Sequence, residues 1–258
     1  MINRYLSKQY AGFTLVEMAI VLVILGFVLG ALLLPLQAQR ELAFQAQTEA
    51  TLQNAKRALL GFAQSRGRLP CPATLASSGM EQPLGGGACT QSVGFLPAAT
   101  LGIQPTDVQG FALDGWNNRI MYAVTQSNLG GAATPDFTTS GDMAIVSITT
   151  LAPDLRVCNS ATGITATTCS VVPEINYSIN NAVAVIYSIG ATGTQAVGGV
   201  DETANLNDAD ANGVIDDGVF VSHEPRSAND PNGEFDHILT WISPFVFYNA
   251  MIEAGQLH

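Results

Sequence analysis

The sequence predicts an α+β fold in which a long N-terminal helical spine packs on an antiparallel β-sheet. An apolar run of 24 residues occupies positions 13–36, and apolar residues at helical spacing continue it towards residue 66. Downstream, short runs rich in Val, Ile, Tyr, Phe and Trp alternate with turn residues, as strands do. The second half of the spine has one apolar stripe, which needs a globular partner to cover it, and we expect that partner to be the sheet.

The composition is typical of a secreted, loop-rich protein. Only 12% of the 258 residues are charged, and the net charge is −11. No basic cluster occurs beyond the first residues, which argues against nucleic acid as a partner. The four cysteines lack CxxC spacing and have no histidine close in sequence, so disulfides in an oxidising compartment are favoured over a zinc site.

The first element is a short basic leader followed by an apolar segment. Residues 1–12 contain Arg4 and Lys8 and no acid. A helix over residues 13–36 would be roughly 36 Å long, enough to cross the hydrocarbon core of a bilayer. The basic flank predicts that the N-terminus is cytoplasmic. Glu17 is the exception in this segment, because a carboxylate in lipid is costly unless it is paired or functional.

Two ordinary classes of segment compete for this stretch. A secretory signal peptide needs small residues at the cleavage positions after the apolar run, and Leu36-Gln37-Ala38 has a leucine there. A plain membrane anchor has the right length but no use for Glu17. Hydropathy alone therefore favours an anchor and leaves the carboxylate unexplained.

The stretch Gly12-Phe13-Thr14-Leu15-Val16-Glu17 resembles the processing site of the type IV pilin and type II secretion pseudopilin superfamily. Those precursors have a basic leader ending in Gly, then Phe, then an apolar helix with Glu at its fifth position. The resemblance implies cleavage after Gly12 by a prepilin peptidase and methylation of the new Phe13 amine. Glu17 is then expected to neutralise the terminal ammonium of a neighbouring subunit, which sets the register of assembly.

The resemblance also implies a location and partners. The chain would cross the inner membrane once, keep its C-terminal domain in the periplasm, and then enter a pilus or pseudopilus. Its partners would be other pilin or pseudopilin subunits, the prepilin peptidase/methyltransferase and the inner-membrane assembly platform. Irregular stretches at Ser77–Thr90 and Thr149–Val172 look like insertions, which favours a minor or initiating subunit over the main building block.

Four segments follow from these observations. They are a leader (1–12), a transmembrane helix (13–36), the soluble half of the spine helix (37–66) and a globular pilin-like domain (67–258). Gly67 and Pro70 end the spine. The strands expected in the globular domain are Arg119–Val124, Met143–Thr149, Ala182–Ile189, Gly218–His223 and His237–Ile242, and Phe245–Ala254 is expected to be a last helix.

One segment of the globular part also resembles the superfamily. Asp114-Gly115-Trp116-Asn117-Asn118-Arg119-Ile120-Met121-Tyr122 is similar to the Asp-x-Trp-Gly-x-x-x-x-Tyr segment of pseudopilins, whose aromatic residues pack the sheet on the helix. Asn117 stands where glycine is usual, so the turn is expected to differ.

The cysteines fall in two close pairs, Cys71 with Cys89 and Cys158 with Cys169. Three pairings are open to four cysteines. Short loops close at a lower entropic cost than long ones, so the local pairing is favoured.

An acidic loop near the C-terminus is a candidate calcium site. Calcium prefers six to eight oxygen ligands, and the loop offers five at alternate positions, from Asp208, Asp210, Asn212, the carbonyl of Val214 and Asp216. The spacing resembles the start of an EF-hand loop, but Val219 replaces the bidentate Glu at the twelfth position. A structural clip is therefore expected rather than a helix-loop-helix sensor. The alternative is a solvated turn that binds no ion.

No catalytic motif is visible in the sequence, so an enzyme is not expected. The adjacent pairs His223-Glu224 and Asp236-His237 would diverge on a strand and are interpreted as surface polar residues. Two other functions remain open. One is a filament-tip adhesin or ligand-binding module on a pilin anchor, and the less favoured one is a membrane-anchored periplasmic enzyme.

Overall fold

The computed structural model describes residues 12–129, 134–169, 176–193, 199–206 and 217–257, without the side chains of residues 31–37. The chain divides into two units, Met1–Ala43 and Phe44–His258. Helix α1 (Leu15–Arg66) contributes to both units. It ends where Gly67 takes a left-handed conformation, with φ of 68°, and donates its N–H to the carbonyl of Ala63. Gly67 ends the helix as the sequence predicts.

The apolar side chains from Phe13 to Leu29 are exposed on all sides of α1. From Phe13 to Leu29 the large apolar residues keep roughly half or more of their surface accessible, up to 87% at Leu15. Within the described residues, the structure contains no helix that is both long enough and apolar enough to cross a membrane.

The second unit contains the remaining elements. The strands are β1 (Val93–Phe95), β2 (Met121–Val124), β3 (Leu155–Cys158), β4 (Tyr177–Ala182), β5 (Ala184–Ser188), β6 (Val219–Val221) and β7 (Ile238–Ile242). The helices are α2 (Ala98–Leu101), α3 (Val200–Leu206) and α4 (Pro244–Glu253), with a 3-10 turn at Asp142–Ile145.

The described strands form two sheets. The larger sheet has the order β1-β2-β5-β7, and all of its neighbours are antiparallel. The smaller sheet has the order β4-β3-β6, in which β3 pairs antiparallel with β4 and parallel with β6. The fold is therefore α+β with a mainly antiparallel sheet domain, and the β3–β6 pair is the departure from a purely antiparallel arrangement. A parallel pair needs a long crossover, and the chain between these two strands contains β4, β5 and α3.

The second unit is built in three layers. One face of α1, formed by Leu52, Ala55, Leu59 and Ala63, packs with the larger sheet and with α4. The smaller sheet covers the opposite face of the larger one, where Tyr187 contacts Phe220. Because β5 lies in the middle layer, all five of its residues are buried, which explains why it reads as a continuous run, AVIYS, rather than as an alternating one.

Four of the five predicted strands contain an observed strand, namely β2, β5, β6 and β7, and the predicted last helix is α4. The prediction of a strand at Met143–Thr149 is wrong. Met143 is buried, but the chain there forms a 3-10 turn after Gly141, whose φ is 87°, and Ile145 faces solvent. Strand β3 lies inside the stretch Thr149–Val172, which the sequence predicts to be an irregular insertion.

Candidate functional site

The start of α1 is a capping box formed by Thr14 and Glu17. The hydroxyl of Thr14 accepts a hydrogen bond from the N–H of Glu17 at 3.2 Å, and the carboxylate of Glu17 accepts one from the N–H of Thr14 at 2.8 Å. The Thr14 hydroxyl also donates to the same carboxylate oxygen, at 2.8 Å. The carbonyl of Thr14 accepts the first helical bond, from Met18. Thr14 is therefore the N-cap, and Glu17 satisfies a backbone donor that the helix leaves unpaired.

The sequence interpretation missed this local role of Glu17. The signal was present as Thr-x-x-Glu immediately before an apolar run, which is the pattern of a capping box. The capping pair lies after Gly12 and Phe13, so removal of residues 1–12 would leave both of its residues in the chain.

The proposed cleavage point lies outside the helix. Gly12 and Phe13 precede the first helical residue, and 83% of the Phe13 surface is exposed. No heavy atom would lie within 4 Å of a Cβ placed on Gly12. The peptide bond between Gly12 and Phe13 is thus in an open, non-helical segment at the N-terminal end of α1.

Residues 7–33 match the family model of the prokaryotic N-terminal methylation motif. The chain carries this motif. The match includes Gly12, Phe13 and Glu17, and it agrees with the resemblance to type IV pilins and pseudopilins. No curated protein and no solved structure matches the chain.

In this motif-bearing chain the Asp114–Tyr122 segment joins the sheet to α1. Trp116 makes an edge-to-face contact with Phe44, with ring centroids 6.2 Å apart, and the N–H of Gly115 donates to the hydroxyl of Thr48 at 2.9 Å. The buried Tyr122 donates its hydroxyl to the carbonyl of Pro70 at 3.1 Å. The aromatic residues therefore pack on the helix and its end, as the resemblance implies.

Asn117 takes the conformation for which glycine is usual. Its φ is 68°, in the left-handed region that asparagine enters more easily than other side chains. The carboxylate of Asp114 holds the turn by accepting from the N–H groups of Trp116 and Asn118 at 2.9 and 2.8 Å. The turn thus forms with Asn117 in the glycine position.

Both disulfides have the local pairing that the sequence predicts, Cys71–Cys89 and Cys158–Cys169. Between the first two cysteines lies Glu81, whose buried carboxylate binds the guanidinium of Arg68 at 2.7 Å and accepts from the N–H of Cys71 at 3.2 Å. A buried ion pair therefore also joins the first disulfide loop to Arg68, which precedes the loop in the sequence.

The interpretation of the two histidine pairs as surface polar residues is wrong for His237. Only 3% of its surface is exposed, and its Nδ1 lies 3.1 Å from Nδ2 of Asn205. His223 is also partly covered, since its Nε2 lies 3.0 Å from a carboxylate oxygen of Asp201. The same oxygen of Asp201 binds Arg226. The sequence does not show these contacts, because α3 brings the partners from more than 20 positions away.

Helix α3 places polar side chains inwards. Two of them, Glu202 and Asn205, contact the segment before β7. One donor atom from each of Glu202, Asp236 and His237 lies within 4.8 Å of the other two, an arrangement able to hold a metal ion. Burial raises the pKa of Glu202 to about 7, although the hydrogen bond from the N–H of Asp236 opposes the rise. Burial lowers the pKa of His237 to about 4, so its imidazole is neutral at pH 7.

The candidate calcium ligands Asp208, Asp210, Asn212, Val214 and Asp216 all lie outside the described residues. Asp217, which directly follows them, is described and buried.

Proposed function

We propose that this chain is a structural subunit, a minor pilin or pseudopilin, of a type IV pilus or type II secretion filament. The observation that carries the proposal is the methylation motif over residues 7–33, with Gly12 and Phe13 exposed ahead of a helix that begins in a Thr14–Glu17 capping box. A filament subunit acts by packing against its neighbours, so we propose an assembly role and no catalytic one.

The exposed apolar surface of α1 supports this role. Large apolar side chains that are exposed on every side of a helix are costly in water and indicate a lipid or protein environment. In the proposed life cycle residues 13–36 anchor the precursor in the inner membrane, with residues 1–12 in the cytoplasm and the disulfide-bonded domain in the periplasm. The same apolar surface then packs against other subunits, delivered by the inner-membrane assembly platform.

The N-terminal residues have defined roles in this proposal. Prepilin peptidase cleaves after Gly12, and the new Phe13 amine is methylated. Glu17 pairs with the terminal ammonium of a neighbouring subunit. A buried charge without a partner is strongly disfavoured, so this pairing selects one axial register.

Mass spectrometry of the chain purified from its native membrane tests the proposal. The expected mass lacks residues 1–12 and includes one added methyl group on Phe13. A Gly12→Val substitution should block cleavage and leave the full precursor mass. Gly30→Ala is the matched control, because no heavy atom lies within 4 Å of a Cβ there, and it should be processed normally. A mature chain that begins at Met1 or at Gln39 would refute the proposal.

A further inference from the structure

The cluster of Glu202, Asp236 and His237 lies far along the chain from the N-terminal motif and is independent of the proposed function. Glu202 is in α3, and Asp236 and His237 directly precede β7. Glu202 and His237 are almost completely buried, with 2% and 3% of their surface exposed. Two carboxylates in such a place repel each other unless a proton or a cation lies between them.

Existing hydrogen bonds hold two of these side chains in place. One carboxylate oxygen of Asp236, Oδ2, accepts from the N–H and the hydroxyl of Thr192 at 2.8 and 3.0 Å. Oε1 of Glu202 accepts from the N–H of Asp236 at 2.7 Å. These contacts orient the carboxylates before any ligand arrives, as the outer contacts of a metal site do.

Two buried atoms of the cluster remain without a hydrogen-bond partner, Oδ1 of Asp236 and Nε2 of His237. Buried polar atoms are paired in the great majority of cases, and each exception needs an explanation. Here the two exceptions belong to adjacent residues of one cluster that also contains a second carboxylate. A shared ligand would satisfy both atoms at once.

We propose that Glu202, Asp236 and His237 bind one divalent transition-metal ion, for which zinc is the probe. Carboxylate oxygens and imidazole nitrogens are both ordinary ligands of zinc. Two carboxylates, once ionised, balance the charge of a divalent cation. The donor set of two oxygens and one nitrogen favours zinc and its neighbours over calcium, which takes oxygen ligands.

The amide of Asn205 determines which ring nitrogen of His237 carries the proton in the metal-free chain. Its Oδ1 accepts from the N–H of Val221 at 2.7 Å, and its Nδ2 donates to the carbonyl of Val221 at 2.9 Å, so the amide orientation is set. Nδ2 therefore presents an N–H to Nδ1 of His237, and in the metal-free ring the proton is on Nε2. Metal binding at Nε2 requires the proton on Nδ1, where it faces the N–H of Asn205, so the hydrogen bond between the two side chains is lost and they must move apart as the metal–nitrogen bond forms.

Zinc titration of the full-length chain, purified in detergent and stripped with chelator, tests the site. Calorimetry and elemental analysis should find one zinc ion per chain. Long-range ¹H–¹⁵N spectra of the imidazoles should show His237 changing from the Nε2–H to the Nδ1–H tautomer as zinc is added. A chain that binds no zinc, or one in which His237 keeps its Nε2 proton in the presence of bound zinc, would overturn the proposal.

Matched variants locate the ion. Asp236→Asn and His237→Gln should each weaken zinc binding by at least about tenfold, since even outer-shell changes at metal sites often cost that much. Glu253→Gln, an exposed carboxylate on α4, and His223→Gln should bind zinc as the unaltered chain does. Circular dichroism checks that each variant is folded, and the tautomer measurement on the unaltered chain does not depend on any variant.

The acidic loop is the competing location. The double variant Asp208→Asn/Asp210→Asn should keep its zinc, because neither residue belongs to the cluster. Loss of zinc from this double variant, with retention in Asp236→Asn, would place the ion in the loop and contradict the proposal. Normal N-terminal processing of all these variants would show that zinc binding and leader cleavage are independent.

Discussion

Glu17 has two separable roles at the residue scale. In the structure its carboxylate caps α1 together with Thr14. In the proposed filament its charge pairs with a neighbouring terminal amine. A capping box needs only an acceptor at this position, so glutamine can replace glutamate there, whereas pairing with an ammonium group needs the negative charge.

Glu17→Gln should therefore keep the cap and lose assembly, because the acceptor remains and the charge does not. Thr14→Ala is the matched control. It removes the capping hydroxyl, which costs about 1 kcal/mol of helix stability, and leaves the carboxylate free to pair. Immunoblots of sheared filaments measure incorporation. If the Glu17→Gln variant is incorporated normally and the Thr14→Ala variant is not, the function of Glu17 is capping.

At the scale of elements, the contact between α1 and the Asp114–Tyr122 turn allows no side chain at Gly115. A Cβ there would lie 2.4 Å from the carbonyl oxygen of Phe44 and 2.7 Å from its Cα, and both are backbone atoms that cannot move aside cheaply. The close approach also brings the N–H of Gly115 to Thr48. The helix and the sheet are thus held together at a point where only glycine fits.

Gly115→Ala should lower the free energy of unfolding by about 1–3 kcal/mol, the usual cost of overpacking. Gly61→Ala, on the exposed side of α1, is the control. No heavy atom lies within 4 Å of a Cβ at Gly61, so alanine should stabilise the helix by about 1 kcal/mol. Denaturant unfolding of both variants in detergent measures the two effects. Equal stability of the Gly115→Ala variant and the unaltered chain would show that this approach is not close in solution.

The two disulfides also act at the scale of elements, since each closes one loop. The bridges join cysteines 18 and 11 positions apart. Replacing Cys71 and Cys89 by serine should cost about 3 kcal/mol by the loop-entropy model, and replacing Cys158 and Cys169 a similar amount. Thermal melting compares the two double variants. Peptide mapping without reductant supplies the check, and a peptide linking Cys71 to Cys158 or Cys169 would contradict the pairing.

At the scale of the whole molecule, one connection between elements is the candidate calcium site. The acidic loop that offers Asp208, Asp210, Asn212, Val214 and Asp216 connects α3 to β6, and we propose that calcium bound there holds this connection in one conformation. Four carboxylates in ten positions would otherwise repel one another.

Calcium at millimolar concentration should raise the melting temperature of the full chain above its value in chelator. A ligand at 100 times its dissociation constant stabilises a folded protein by about 2.7 kcal/mol. The control is Asp208→Asn/Asp210→Asn, whose melting temperature should not respond to calcium. An unchanged melting temperature of the unaltered chain, with no heat of calcium binding, would exclude the clip.

Local patterns were enough to predict several features of this protein. The apolar run, the helical spacing after it and Gly67 placed the spine helix and its end, because a helix is formed by contacts within a few positions of the chain. The pairing of the cysteines followed from loop closure over short distances. The basic leader, the residues from Gly12 to Glu17 and the length of the apolar run together indicated the methylation motif.

Only the tertiary structure decided which distant residues meet. The burial of His237 and its approach to Glu202, 35 positions earlier, depend on how α3 packs beside the smaller sheet. The parallel pairing of β3 with β6 likewise joins strands that are separated by three other elements. Short strands carry a pattern that reports which face is buried, but nothing in that pattern names the partner strand, because pairing is set by packing across the whole domain.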